Sequence, residues 1–322
     1  MAIGPSTALQ RPDLGATLEE FDLDMALNGY IAQQVLPVID VRQEAMNIGK
    51  IPIEQLLKDR DTKRAPGAGY SRSDFEFTTF AFACEEHGAE EAVDDRAAKI
   101  YARYFDAEAI ATRRARAAVM RNAEKRAAAL LFNTSTWTGS DLFTSVGTEW
   151  STVGSATPIA NVDAARNKVR DGSGLIPNAG ICGWKVFEHL RRSAEIEDLV
   201  KHWGGDDPKR MTQSQIAAVL GLDHLFVGGG QKDTGAEGQA TSLADIWDDE
   251  YFMVARVAMT DDPGEPCVGR TFHYTEDGSM VGTIVETYRD EPRRSDIVRA
   301  RHDVDELTMY VQAAHLLGNI SV

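Results

Sequence analysis

Three consecutive glycines, Gly228-Gly229-Gly230, follow a strand-like segment, where a glycine-rich loop could cradle a phosphate. That chemistry needs a Gly-Lys-Ser/Thr ending, and Gln231-Lys232-Asp233 stands there instead. The dinucleotide spacing fails as well, with Gly235 and Gly238 in a loop rather than at a helix start. A flexible surface loop is the expectation for this stretch. The seven histidines (87, 189, 202, 224, 273, 302 and 315) form no His-Glu-x-x-His pair. Cys84 and His87 are three apart, but no second pair completes a tetrahedral metal site. Glu85-Glu86-His87 with Glu90-Glu91 could gather a cation, and reads better as an acidic approach to a helix. Asp248-Asp249-Glu250 and Asp261-Asp262 have the carboxylates for divalent-ion binding or acid–base work, yet adjacent acids are ordinary at turns. Ser145 and Ser173 lack a nucleophile elbow. The expectation is no catalytic residue, no cofactor, no metal and no enzyme.

Two charged motifs remain. Arg64-Ala65-Pro66-Gly67 sits in the run Lys58 to Tyr70, and Tyr288-Arg289-Asp290-Glu291-Pro292-Arg293-Arg294-Ser295-Asp296 lies far downstream. On one molecule each is a solvated turn. Repeated around a symmetric assembly, such clusters make ion pairs that fix orientation more than they add affinity. The candidate contact residues are Arg60, Lys63, Arg64, Pro66 and Tyr70 in the first, and Arg289, Glu291, Arg293, Arg294 and Asp296 in the second.

The elements that must position them are numerous. The chain has 322 residues, 43% hydrophobic and 26% charged, enough for one large or two moderate domains with a proper core. Its net charge of −16 argues against a general nucleic-acid binder. A local basic run, Arg113-Arg114-Ala115-Arg116 with Arg121, Lys125 and Arg126, reads as a solvated or salt-bridged helix face. Cys84, Cys182 and Cys267 are too few for a disulfide scaffold and fit a reducing compartment. No signal segment and no run of about 18 apolar residues points to secretion or a membrane.

Residues 22–36 read as a short helix stopped by Pro37, and Val38–Val41 as a strand. Residues 44–84 read as a two-stranded excursion with a Gly-rich charged tip, because Phe75, Phe77, Thr79 and Ala81 alternate with polar residues. Such a hairpin is marginal alone and needs something to lie on, its own core or a neighbouring subunit. The strongest helix signal covers 94–132, with a break near Phe105-Asp106 and a buried stripe of Ile110, Ala117, Met120, Ala127 and Leu131. Helix and short strand then alternate over 156–262, with Thr212 and Gln215 forming a capping box. Residues 268–318 read as mostly antiparallel strands. This segregation predicts an α+β architecture with the long helix packed on the last strands.

The ordered motifs resemble the major capsid proteins of tailed bacteriophages with the Hong Kong 97 (HK97) fold. The resemblance rests on Val35-Leu36-Pro37-Val38, Arg64-Ala65-Pro66-Gly67, Asp94-Asp95-Arg96, Trp137, Pro177-Asn178, Trp184, Gly238-Gln239 to Ile246-Trp247, and Tyr288 to Asp296. It implies an N-terminal arm (1–43), an extended loop lying across a neighbour (44–84), a peripheral domain with a spine helix (85–155), an axial domain (156–265) and returning peripheral strands (266–322). The chain departs from the family before the spine helix, where 94–106 has no proline. The resemblance also implies pentamers and hexamers in an icosahedral head shell around double-stranded DNA, bound without sequence specificity. It implies portal and scaffolding partners and a cement protein, no membrane, and assembly in a host bacterial cytoplasm into the virion capsid. Two alternatives stand beside it. One is an encapsulin-like nanocompartment shell. The other is a soluble α/β enzyme using the loop near Gly228 or the acids at 261–262.

Overall fold

The computed structural model describes residues 9–10, 29–50, 52, 57–59, 62–67, 69–70, 72, 78–101, 106–202, 211–236, 238–278 and 280–321. Most of the expected arm, and Arg60, lie outside the described residues. The strands in chain order are β1 (Leu9–Gln10), β2 (Val38–Val41), β3 (Ala45–Lys50), β4 (Thr78–Ala83), β5 (Glu85–Asp94), β6 (Phe143–Ser145), β7 (Ala179–Gly183) and β8 (His224–Gly228). They continue with β9 (Gln231–Asp233), β10 (Leu243–Asp245), β11 (Phe252–Ala255), β12 (Gly269–Tyr274), β13 (Ile284–Asp290), β14 (Ser295–Thr308) and β15 (Ala314–Gly318). The helices are α1 (Ala32–Val35), α2 (Asp95–Tyr101), α3 (Ala107–Leu131), α4 (Pro158–Ser173), α5 (Trp184–Arg192), α6 (Ala194–His202) and α7 (Gln213–Val219).

Besides the two-stranded pairs β3–β4 and β9–β10, the described strands form two larger sheets with different company. The first has the order β1-β13-β14-β12-β2, with β5 running along β14. The second has the order β6-β15-β11-β7-β8 and is flanked by α4 to α7.

The long helix α3 lies on the first sheet. Asp106 starts it, its Oδ1 accepting from Glu108 N at 3.0 Å and Ala109 N at 3.4 Å. The expected break before Ala107 is present. The buried stripe is Ala111, Ala115, Val119, Met120, Ala127, Ala128 and Leu131; Ile110 is 36% exposed and Ala117 half-buried. Ala115 and Val119 meet Ala300 and Ala89, so small side chains let helix and sheet approach closely. On the same face Arg126 makes a two-pronged pair with Glu306, at 2.9 and 2.8 Å. Beside it His302 is 2% exposed, and burial pushes its pKa down to about 4, so the imidazole is neutral at pH 7. Arg116, expected on a solvated basic face, is 2% exposed.

The second sheet is a core in itself. β7, β11 and β15 are buried at every position, as strands covered on both faces must be. The C-terminal strands do not stay together: β15, expected with the other strands of 266–322, inserts between β6 and β11 of the second sheet. Its wholly buried Ala-His-Leu-Leu-Gly explains this, since only an interior position hides both faces. Asn178 precedes β7 and extends its ladder with side-chain atoms, Oδ1 accepting from Val257 N at 2.8 Å and Nδ2 donating to Val257 O at 3.0 Å. The capping box forms: Thr212 Oγ1 accepts from Gln215 N at 3.4 Å, and Gln215 Oε1 from Thr212 N at 2.9 Å.

Candidate assembly surfaces

The upstream motif stands at the end of the β3–β4 hairpin. That hairpin is a separate two-stranded sheet, paired from Ala45 with Ala83 to Lys50 with Thr78. Its base is anchored. Phe82 stacks on Phe272 with ring centroids 4.8 Å apart, and Ala83 N donates to Asp305 Oδ2 at 2.9 Å. Lys50 donates to Met309 O and sits 3.9 Å over the Tyr310 ring. Beyond this the chain turns at Pro66-Gly67, with Gly67 at φ +81°, a conformation that favours glycine. Lys63, Arg64, Pro66 and Tyr70 are all exposed. Arg64 folds over Tyr70, its guanidinium carbon 4.8 Å from the ring centre, and donates to the phenol oxygen at 3.4 Å.

The downstream motif is the β13–β14 turn, and most of it is tied to its own chain. Arg289 grips Asp95 at the start of α2 with two bonds, 2.6 and 2.7 Å, and reaches Asp296 at 3.1 Å. Its bond to Arg289 lowers the Asp95 pKa, and the same pairs raise that of Arg289. Arg294 adopts φ +51° and its carbonyl accepts from Asp95 N at 3.2 Å. Asp94 caps the same helix, its Oδ1 accepting from Arg96 N at 2.9 Å and Ala97 N at 3.0 Å. Arg289, Arg294 and Asp296 therefore clamp a turn to a helix within one molecule. Glu291 and Arg293 project outward, their side chains 81% and 80% exposed, with Arg293 3.6 Å from Asp290. The two motifs do not meet. The tip lies beyond Thr78, whereas the turn sits where Ser295 pairs with Asp94, at the far end of the extended run Thr78–Asp94.

Two features escaped the sequence reading. Glu124, 2% exposed on α3, accepts from Ile31 N at 2.8 Å, Ala32 N at 2.9 Å and Trp247 Nε1 at 2.6 Å. Burial raises its pKa, and the three donors oppose that rise. One carboxylate thus joins the long helix, the start of α1 and the loop after β10. The signal was present: Glu124 falls in phase with Met120, Ala127 and Leu131 on the buried stripe. The glycine run is likewise no surface loop. A Cβ on Gly228 would lie 2.1 Å from the Trp247 ring and one on Gly230 2.8 Å from Tyr30, while Gly229 N donates to Gly29 O at 2.9 Å. Only glycine lets that backbone pass under two aromatic rings.

Of the acids singled out in the sequence, Asp249 makes an ion pair and Asp262 makes local hydrogen bonds, its Oδ1 accepting from Gly264 N at 2.8 Å. Lys185 holds Asp249 at 2.9 Å and Asp245 at 3.5 Å. The Asp262 carbonyl accepts from the wholly buried Arg270 at 2.6 Å.

Known proteins can be set beside this geometry. No protein-family model matches the chain. A major capsid protein of Pseudomonas phage JBD67 is 22% identical over 279 residues, 86% of this chain and 87% of that one. A phage-related protein from Bordetella bronchiseptica RB50 superposes with a TM-score of 0.71 at 20% identity over 98% of both chains. The fold is that of capsid shell proteins. It resembles the HK97-like group, as the sequence motifs do. The same shell-protein fold covers the mature capsid of bacteriophage PhiM1 (TM-score 0.54, 14% identity, 87% of this chain and 84% of that one). It also covers the SrpI encapsulin of Synechococcus elongatus PCC 7942 (TM-score 0.54, 9% identity, 99% and 93%).

Proposed function

We propose that this chain is the major capsid protein of a tailed phage, building an HK97-type icosahedral head around double-stranded DNA. The observation that carries this reading is the sequence match to a phage major capsid protein, which spans 86% of this chain and 87% of that one. In this reading residues 1–43 form the arm and 44–84 the loop laid on a neighbour. Two further parts are a peripheral unit on the first sheet and α3, and an axial unit on the second. The work is assembly rather than catalysis: many weak contacts act together, each raising the effective concentration for the next. Pentamers and hexamers form in the bacterial cytoplasm, with portal, scaffolding and cement proteins supplied separately. The net charge of −16 keeps free subunits soluble and the packed genome off the wall.

The fold shared with an encapsulin favours a second reading, a nanocompartment shell. Electron microscopy of the full chain expressed in bacteria tests both. Uniform shells tens of nanometres across are expected; a stable monomer or small oligomer overturns them together. Nuclease-treated particles from the native source then decide between the two. Protected double-stranded DNA is expected, and an enclosed enzyme without a genome transfers the assignment to the nanocompartment.

A further inference from the structure

We propose that the solvent-facing side of α3 is a contact surface for the phosphate backbone of double-stranded DNA. The inference rests on the shell-building reading and names the face of the subunit that meets the genome. Between Glu108 and Leu131 the helix carries cations on both sides, and the fold divides them. Arg116 is 2% exposed and Arg126 is bound to Glu306 on the sheet side. Arg113, Arg114, Arg121 and Lys125 are exposed on the other. Arg113, Ala117, Arg121 and Lys125 follow one another at successive turns of a single helical row, about 18 Å from end to end. A solvated helix face usually interleaves acids with bases at that spacing. Here the acid of the stretch, Glu124, is buried, and Arg121 and Lys125 repel each other across one turn. Among the described residues Arg121 and Lys125 meet no carboxylate, and Arg114 stays 69% exposed while meeting Glu91 of β5 at 3.4 Å.

The sheet beneath makes the arrangement directional. Val298 and Ala300 of β14 pack with α3, so Arg299 and Arg301 point to the opposite face. There the two arginines are outnumbered by Glu86, Glu90, Asp277, Glu286 and Asp303, with Arg299 2.7 Å from Glu90 and Arg301 3.1 Å from Glu286. One side of this unit therefore offers cations and the other carboxylates. A polyanion approaching a chain of net charge −16 is repelled by most of it and finds its counter-charge along α3. Over about 18 Å a duplex presents about ten phosphate charges. The exposed cations of one rigid helix reach several of these, and the short side chains of Ala117, Ala118 and Asn122 between them let the backbone come close. Guanidinium and ammonium groups bonded to phosphate oxygens position a duplex without reading its bases. That suits a wall that must touch any genome sequence and hold none tightly.

A short fluorescein-labelled duplex of mixed sequence, titrated with the full chain and followed by anisotropy, tests this. Wild type should bind at low salt, with log K falling against log salt at a slope of about −3 to −4. Arg121→Gln/Lys125→Gln should weaken binding about tenfold and reduce that slope by about 2, with the urea midpoint unchanged. Arg121→Lys, which keeps the charge, should bind as wild type does. Arg192→Gln/Lys201→Gln removes the same charge from exposed side chains of α5 and α6, and should change binding by less than about twofold. No binding by wild type, or equal losses in the two double variants, overturns the contact. Displacement by polyglutamate as effective as that by unlabelled duplex, at equal charge concentration, reassigns the face to an acidic protein and overturns it too. Binding that depends on Arg121 and Lys125 in a chain that builds no shells upholds the contact and removes only the shell reading. Shells built from subunits that ignore the duplex sink the contact and leave the shell reading standing.

Discussion

Glu124 holds more of the molecule together than its place in an Ala-rich helix suggests. Burial opposes its charge, and its three N–H donors come from segments more than ninety residues away on either side. Ile31 and Trp247 are buried, and each unsatisfied buried donor costs on the order of 1–3 kcal/mol. Glu124→Ala should therefore lower stability by about 3 kcal/mol or more in urea unfolding, whereas Glu124→Gln, which retains an acceptor, should lose less than half as much. Equal losses in the two variants would mean that packing, not the donors, sets the cost. Helical phase made the position legible. The partners were not legible, because a main-chain N–H near Ile31 carries no side-chain signature.

At the scale of elements, local rules recovered most of what formed. The break before Ala107, the Thr212–Gln215 box and the strand after Pro37 depend on neighbours a few residues apart, and each stands as read. On α3 Met120, Ala127 and Leu131 are buried as read, whereas Ile110 and Ala117 give way to Ala111 and Ala115, whose burial depends on the strands they face rather than on their own hydrophobicity. The glycines at 228–230 misled for a related reason: a run of glycine signals freedom, but here it provides clearance beneath Trp247 and Tyr30. Gly228→Ala should cost about 1–3 kcal/mol through overpacking, read as a lowered Tm with an altered Trp247 emission. An unchanged Tm would return that segment to the surface loop the sequence suggested.

For the whole molecule, the two sheets and their linking contacts fold within one chain, while Lys63, Arg64, Pro66 and Tyr70 stand exposed on the loop between β3 and β4. Lys50 and Thr78 are paired residues, so replacing 51–77 by Asn-Gly closes the hairpin with a two-residue turn. That variant should unfold as the full chain does, within a few degrees, yet build no shells by sedimentation. Normal shells from it would show that assembly does not need the tip. The sequence by itself determined the α+β class, the long helix, the run of strands and the motifs shared with capsid proteins, because those follow from local propensity and ordered signatures. Tertiary structure alone decided that β15 joins the second sheet, that Arg289 clamps its own chain through Asp95, and that β5 pairs with β14 alone among the described strands. Each of these depends on which distant segment reaches a given backbone or charge first, and spacing along the chain does not encode that.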